Sequence, residues 1–171
     1  MPKPQPAEYE SSYLKYYIDL VQGEDVVRSL ENQLNSTHKF LRLISEDQGN
    51  YAYETGKWTL KEVVGHLIDT ERIMAYRALS ISRGEKQSLP SFEQDDYVAS
   101  GSFNKRSLSD LVNEYRLVRE SNLALFKTFD EGIMSNEGVA NGKKITVRAL
   151  LFMIAGHETH HINVIRMKYL S

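Results

Sequence analysis

The sequence contains no cysteine. This absence excludes disulfide bonds, thiolate zinc sites, iron–sulfur clusters and a cysteine nucleophile. Any metal chemistry must therefore use histidine, aspartate or glutamate, and the chain has five histidines from which a site could be built.

The sequence also lacks a long apolar run and an excess of basic residues. No stretch of about 18 apolar residues occurs, so no transmembrane helix is predicted. The 21 basic and 23 acidic residues give a formal net charge of −2, and the basic residues are dispersed along the chain, which argues against a nucleic-acid partner. The proline-rich start, Met1 to Pro6, has no apolar segment behind it, so no targeting signal is predicted. We expect a cytoplasmic protein that binds neither membrane nor nucleic acid.

Length and composition favour one folded domain. The chain has 171 residues, of which 41% are hydrophobic and 26% charged, as in ordinary globular proteins. We predict a single domain over residues 1–171, with 1–8 as an extended N-terminal arm and about 9–170 as the folded bundle.

Apolar residues recur at helical spacing through most of the chain. A short first helix is predicted over 9–20, and longer ones begin near Asp25, Thr59, Ser107 and Thr146. Four helices of about 20 residues are typical of an all-α four-helix bundle. The connection over 85–106 exceeds the usual two to eight residues, which leaves room for the second and third long helices to run parallel. Asn141-Gly142 predicts a turn, with a small hairpin over about 139–145.

The last helix carries a pair of histidines. His157 and His161 are four residues apart, so both side chains leave the same helix face and can share one divalent ion. His66 lies on the second long helix, at a similar height if the two helices are antiparallel. The spacing permits a three-histidine site. Histidines that only hydrogen-bond within the core remain the alternative.

Residues 157–161 also match the pattern H-E-x-x-H, in which zinc proteases use the glutamate as general base. Such proteases need a third ligand, and no histidine, aspartate or glutamate follows His161 in this chain. The protease interpretation is therefore disfavoured.

Three segments together resemble the DinB/YfiT-like superfamily, the damage-inducible DinB-like proteins. They are Trp58-Thr59 with Glu62 and Gly65 to Arg72, Leu89 to Phe92 with Asp96-Tyr97, and Ala155 to His161. The resemblance covers about residues 30–170 and implies a four-helix bundle with up-down-down-up topology. It further implies a metal triad of His66, His157 and His161 that holds nickel or zinc, and a homodimer.

Some members of this superfamily are thiol-dependent, such as bacillithiol transferases and a mycothiol-dependent maleylpyruvate isomerase. The resemblance therefore implies a metal-dependent S-transferase that acts on a small molecule with a low-molecular-weight thiol. Because the chain has no cysteine, that thiol must arrive with the cosubstrate. Water at the same metal position would give a hydrolase with Glu158 as catalytic base. A non-catalytic metal-binding or stress-response protein is the third alternative.

Several polar and aromatic residues outside the histidine motif are further candidates for a site. Glu71 and Asn122 each interrupt an apolar stripe, which favours a pairing across the bundle or a place in a cavity wall. Phe92, Asp95-Asp96 and Tyr97 lie in the long connection, where they would form a rim over the metal or a dimer contact. Glu158 has a second interpretation, as a hydrogen-bond acceptor for a ligand imidazole. His38 and His160 receive no role.

Overall fold

A computed structural model of the chain describes residues 2–170. The eight helices within this range are α1 (Ser12–Leu20), α2 (Val26–Leu41), α3 (Glu46–Gly49), α4 (Leu60–Ser82), α5 (Gln94–Gly101), α6 (Leu108–Phe126), α7 (Glu131–Met134) and α8 (Val147–Val164). A π-helical turn, Ile165–Tyr169, continues α8. Strands β1 (Glu137–Ala140) and β2 (Lys143–Thr146) form an antiparallel hairpin.

The predicted capping residues begin the bundle helices. Thr59 Oγ1 accepts a hydrogen bond from the Glu62 amide at 3.2 Å, and Glu62 Oε2 accepts one from the Thr59 amide at 2.8 Å. Ser107 and Thr146 each accept a bond from the amide three residues on, which starts α6 and α8. These bonds satisfy amides that the helices themselves leave unpaired.

Helices α2, α4, α6 and α8 form the bundle, and their contacts define its topology. Asn104 binds Glu62 near the start of α4 and Asn122 binds Glu71 further along, so α4 and α6 run parallel. Helix α8, by contrast, runs antiparallel to α4. Tyr169, in the π-helical turn that continues α8, donates a hydrogen bond to the Trp58 carbonyl just before the start of α4.

Helix α2 runs parallel to α8. Gln33 of α2 donates a hydrogen bond to the Ala155 carbonyl of α8. Further along both helices, towards their C-terminal ends, the Arg166 guanidinium lies 4.8 Å from the centre of the Phe40 ring. The order is therefore up-down-down-up, which confirms the predicted four-helix bundle and its long second connection.

The long connection contains structure that the sequence pattern did not predict. Helix α5 and a 3₁₀ turn at Phe103–Lys105 lie within it. The Phe103 ring is buried and lies directly over Gly65, where a Cβ atom would be 2.4 Å from the ring. This contact fixes the end of the connection against α4.

Some predicted boundaries differ from the structure. The short first helix predicted over 9–20 begins only at Ser12. The helix predicted to begin near Ser107 ends at Phe126, and Asp130 then caps the separate short helix α7. The N-terminal arm is not wholly extended, since residues 6–8 form a 3₁₀ turn.

The apolar core consists of two clusters separated by a polar layer. One cluster contains Leu30, Leu123 and Leu151, and the other contains Leu41, Leu111 and Ile162. Between them every bundle helix contributes buried polar side chains, namely Thr37, His66, Thr70, Glu71, Arg119, His157 and Glu158. Of the helices within residues 2–170, none combines the length and apolar character needed to cross a lipid bilayer.

Gly156 allows α1 to lie against α8 beside this layer. A Cβ atom at Gly156 would be 1.9 Å from the backbone carbonyl oxygen of Tyr17, a distance that no side-chain adjustment can relieve. Although alanine is favoured over glycine within a helix by about 1 kcal/mol, we expect Gly156→Ala to destabilise the fold by about 1–3 kcal/mol or more.

Thermal unfolding of Gly156→Ala tests this expectation against Gly132→Ala in α7. At Gly132 the nearest atom to an added Cβ is Asp130 Oδ1 at 3.3 Å, so that variant should melt close to the wild type. An unchanged melting temperature for Gly156→Ala would contradict the close approach.

Candidate metal centre

His66, His157 and His161 meet inside the polar layer. His66 comes from α4, and the other two come from successive turns of the antiparallel helix α8. The Nε2 atom of His157 lies 3.0 Å from Nε2 of His66 and 3.1 Å from Nε2 of His161. The structure therefore brings together the three histidines that the sequence pointed to.

Burial keeps these imidazoles neutral. Burial, with a smaller repulsion from His160, lowers the pKa of His66 to about 4. Burial and the neighbouring histidines lower the pKa of His161 to about 3, and they lower the pKa of His157 as well. Each ring therefore keeps a lone pair for a ligand at neutral pH.

Neighbouring side chains orient the rings. Nδ1 of His66 lies 3.4 Å from Thr70 Oγ1, and the centroids of the Trp58 and His66 rings are 4.9 Å apart. Tyr17 of α1 contacts His157 edge-on, with the ring centroids 5.4 Å apart. A hydrogen bond on Nδ1 together with a free Nε2 is the arrangement of metal-binding histidines.

The spacing of the three nitrogens suits a divalent metal. Nitrogen ligands about 2.0–2.1 Å from an ion are about 3.0 Å apart in octahedral geometry and about 3.4 Å apart in tetrahedral geometry. Two of the three Nε2 separations, 3.0 and 3.1 Å, fall within this range, and all three ligand atoms lie within 4.8 Å of one another. Three neutral imidazoles would leave further coordination positions for water or substrate.

A cavity of about 430 Å³ adjoins the histidine cluster. His66 and His157 form part of its wall, together with Thr70, Met74 and Arg77 along the same side of α4. The hairpin, with Lys143 and Lys144, and residues 91–94 of the long connection, with Glu93, form another part of the wall. Residues at the start of α1 and on α8 complete it. The volume fits a small molecule.

A second pocket, of about 420 Å³, lies on the other side of the cluster. His161 lines it together with Trp58 and Asp95. Phe92, Glu93 and Gln94 line the first cavity, whereas Asp95 lines the second, so the connection passes between them beside the histidines. Of the four residues predicted to form a rim or a dimer contact, Phe92 and Asp95 line these pockets, whereas Asp96 and Tyr97 line neither.

The Glu158 carboxylate is engaged away from the histidines. Oε1 accepts a hydrogen bond from Thr37 at 2.6 Å, and Oε2 accepts bonds from Tyr115 at 3.0 Å and Arg119 at 2.5 Å. It does not belong to the group of ligand atoms that lie within 4.8 Å of one another. The structure therefore does not bring Glu158 to the place where a catalytic base would be needed.

Arg119 is the centre of this buried network. Its guanidinium is fully buried and donates to both oxygens of Glu71 at 2.8 Å as well as to Glu158. Burial alone lowers the pKa of Arg119, but the two carboxylates reverse the effect and raise it, so the side chain stays charged. Asn122 also donates to Glu71, at 3.1 Å, which is the cross-bundle pairing considered from the sequence.

Sequence reasoning missed Arg119, Tyr115 and Thr37 as members of the polar layer. A signal was available, because Arg119 lies four residues after Tyr115 on the inward stripe of α6. The two histidines without a predicted role lie outside the cluster. His160 Nδ1 is 3.0 Å from the Tyr16 hydroxyl, and His38 lines a groove between α2 and α6.

Comparison with known proteins agrees with this architecture. A protein of Oceanobacillus iheyensis named "Putative metal-dependent hydrolase" is 24% identical over 152 residues, with 82% of each chain covered. YfiT from Bacillus subtilis, described as "a probable metal-dependent hydrolase with an unusual four-helix bundle topology", superimposes with a TM-score of 0.72. The superposition covers 96% of this chain and 90% of YfiT at 18% sequence identity, so it shows a shared fold. The model of the DinB superfamily matches residues 29–165, and the chain belongs to that superfamily.

Proposed function

We propose that the protein is a metal-dependent hydrolase of small molecules, with His66, His157 and His161 as its metal ligands. The observation that carries the proposal is the convergence of three neutral Nε2 atoms at the wall of a cavity. The names of the two relatives support hydrolysis, and neither name mentions thiol transfer. Nickel or zinc, a homodimer and the S-transferase activity remain predictions from the resemblance.

A divalent ion on three imidazoles supplies a Lewis acid and lowers the pKa of bound water, which makes it a nucleophile at neutral pH. The fold holds the three histidine nitrogens close together, and His66 and His157 are buried. Thr70 Oγ1, 3.4 Å from Nδ1 of His66, would accept the Nδ1–H of the tautomer that leaves Nε2 free. Glu93, the one carboxylate among the described residues that line the cavity, takes the role of proton acceptor in this proposal, and Glu158 does not.

The cavity also bears on the non-catalytic alternative. An ion that only held the bundle together would need no open side, and a closed shell is typical of structural metal sites. Here two of the three histidines form part of a cavity wall, which favours an enzyme.

Metal-stripped protein, reloaded with Zn²⁺ or Ni²⁺ one at a time, tests the proposal. We expect hydrolysis of the neutral ester 4-nitrophenyl acetate to return with metal and to disappear with a chelator. In parallel, conjugation of cysteine to 1-chloro-2,4-dinitrobenzene measures thiol transfer, and the chain contributes no thiol of its own to this assay.

Each outcome distinguishes a function. Metal-dependent conjugation without metal-dependent ester hydrolysis would replace hydrolysis by S-transfer. Stoichiometric metal binding with neither rate would favour the non-catalytic protein.

A further inference from the structure

Arg77 is a buried cation in the cavity wall. Its exposed fraction is 7%, and burial lowers the pKa of its guanidinium. One terminal nitrogen donates to the Pro90 carbonyl at 2.5 Å, and the other lies 3.6 Å from Met74 Sδ. The Phe92 ring lies 6.0 Å from the guanidinium carbon. None of these neighbours is an anion.

The other buried basic residues are all paired with carboxylates. Lys61 contacts Glu46, Arg119 binds Glu71 and Glu158, and Arg148 binds Glu8 and Glu131. Within the described part of the chain, Arg77 is the buried basic side chain without a carboxylate partner. A buried charge is costly without a counter-ion, so this position calls for an anion from elsewhere.

The charged residues around the cavity also favour an anionic ligand. Lys143 and Lys144 of the hairpin line it, whereas Glu93 is its one acidic residue within the described range. Lys144 also contacts Glu137 at 2.9 Å, and no carboxylate of the described residues pairs with Lys143. The cavity thus offers a cationic wall to a ligand.

Arg77 and His66 face the same cavity from one helix. They are eleven residues apart, which places them about 16 Å apart along α4 and on nearly the same side of it. Long side chains on a helix lean towards its N-terminus, so the guanidinium approaches the level of the histidines. A ligand that reaches both must be elongated.

We propose that the substrate carries an oxyanion group, a carboxylate or a phosphate, that Arg77 binds while the scissile bond lies at the histidine cluster. Arginine suits this role because its paired N–H groups match the two oxygens of such a group. The inference rests on the proposed hydrolytic function for the scissile bond, but not for the binding of the anion.

The first measurement is binding without turnover. Calorimetric titration with glutarate, and separately with inorganic phosphate, compares the wild type with Arg77→Gln and Arg77→Lys. Loss of a charged hydrogen-bond donor typically weakens binding by about tenfold to hundredfold, and we expect Arg77→Lys to recover part of this loss. Arg83→Gln, an exposed arginine at the end of α4 outside the cavity, is the matched control and should bind as the wild type does.

The second measurement is a pair of esters. The metal-loaded enzyme should prefer the mono-4-nitrophenyl ester of glutaric acid over 4-nitrophenyl butyrate, and Arg77→Gln should lower the ratio of their kcat/KM values about tenfold or more. Thermal melting checks that Arg77→Gln folds, and removal of an uncompensated buried charge should not lower its melting temperature.

The outcomes separate the two proposals. If neither anion binds the wild type, or if binding survives in Arg77→Gln, the oxyanion site is wrong whether or not the esters are cleaved. If binding depends on Arg77 but neither ester is cleaved, the oxyanion site stands and the hydrolytic function fails. If binding depends on Arg77 but the ester ratio does not, the anion lies outside the catalytic cavity and the substrate assignment is overturned.

Discussion

His157→Ala is expected to abolish metal binding and, with it, the metal-dependent activity. Nε2 of His157 is the nitrogen that lies closest to both of the others, 3.0 Å from His66 and 3.1 Å from His161. Its loss leaves two ligands on different helices, too few for a stable site. We expect the metal content to fall from about one ion per chain to less than a tenth of that, and the ester hydrolysis rate to fall at least about a hundredfold.

Elemental analysis of the purified variant measures the first effect, and the ester assay measures the second. His160→Ala is the matched control, because His160 is also on α8 and its ring lies edge-on to His161, but it does not belong to the group of three possible ligands and its Nδ1 lies 3.0 Å from the Tyr16 hydroxyl. Circular dichroism shows whether each variant keeps its helices. Full metal content in His157→Ala would contradict the ligand assignment, and so would an equal loss in His160→Ala.

Arg119→Met is expected to cause the largest loss of stability. The substitution keeps most of the side-chain volume but leaves the carboxylates of Glu71 and Glu158 buried without their cation. Removal of one partner from a buried ion pair costs about 3–5 kcal/mol. For a domain of this size the melting temperature should fall by roughly 6–20 °C.

Two comparisons show whether charge causes this loss. Arg116→Met removes a more exposed arginine of the same helix, which binds Glu120 at 2.7 Å, and should cost at most about 1 kcal/mol. Adding Glu71→Gln and Glu158→Gln to Arg119→Met removes the stranded charges and should recover part of the stability. If all these variants had the same melting temperature, the buried ion pairs of Arg119 would not contribute the stability predicted for them.

The sequence allowed the histidine cluster to be predicted because its geometry is mostly local. His157 and His161 share a helix face at any position of the bundle, and a capping box at Thr59 fixes where His66 lies on its helix. Only the antiparallel packing of α4 and α8 had to be assumed. The four long helices were predictable for the same reason, since their apolar stripes repeat every turn.

The rest of the site depends on contacts between distant residues. Arg119 on α6 binds Glu71 and Glu158 from two other helices. Its place on the inward stripe of α6 indicates burial, but no local pattern identifies these partners. The role expected for Glu158 followed from its neighbours in sequence, whereas its hydrogen bonds come from α2 and α6. The close approach of α1 to Gly156 could not be predicted from the sequence either, because it requires the Tyr17 backbone to lie beside α8.

The order of the helices has a consequence for how such a site can vary. Because α4 and α6 are parallel, the chain between them must travel back along the bundle, and residues 92–95 line both pockets on the way. The three histidines belong to α4 and α8, whereas much of the cavity wall belongs to this return segment and to the hairpin. Part of the cavity wall therefore lies outside the two helices that carry the histidines, and a new return segment can change that part while the histidine cluster and Arg77 stay the same.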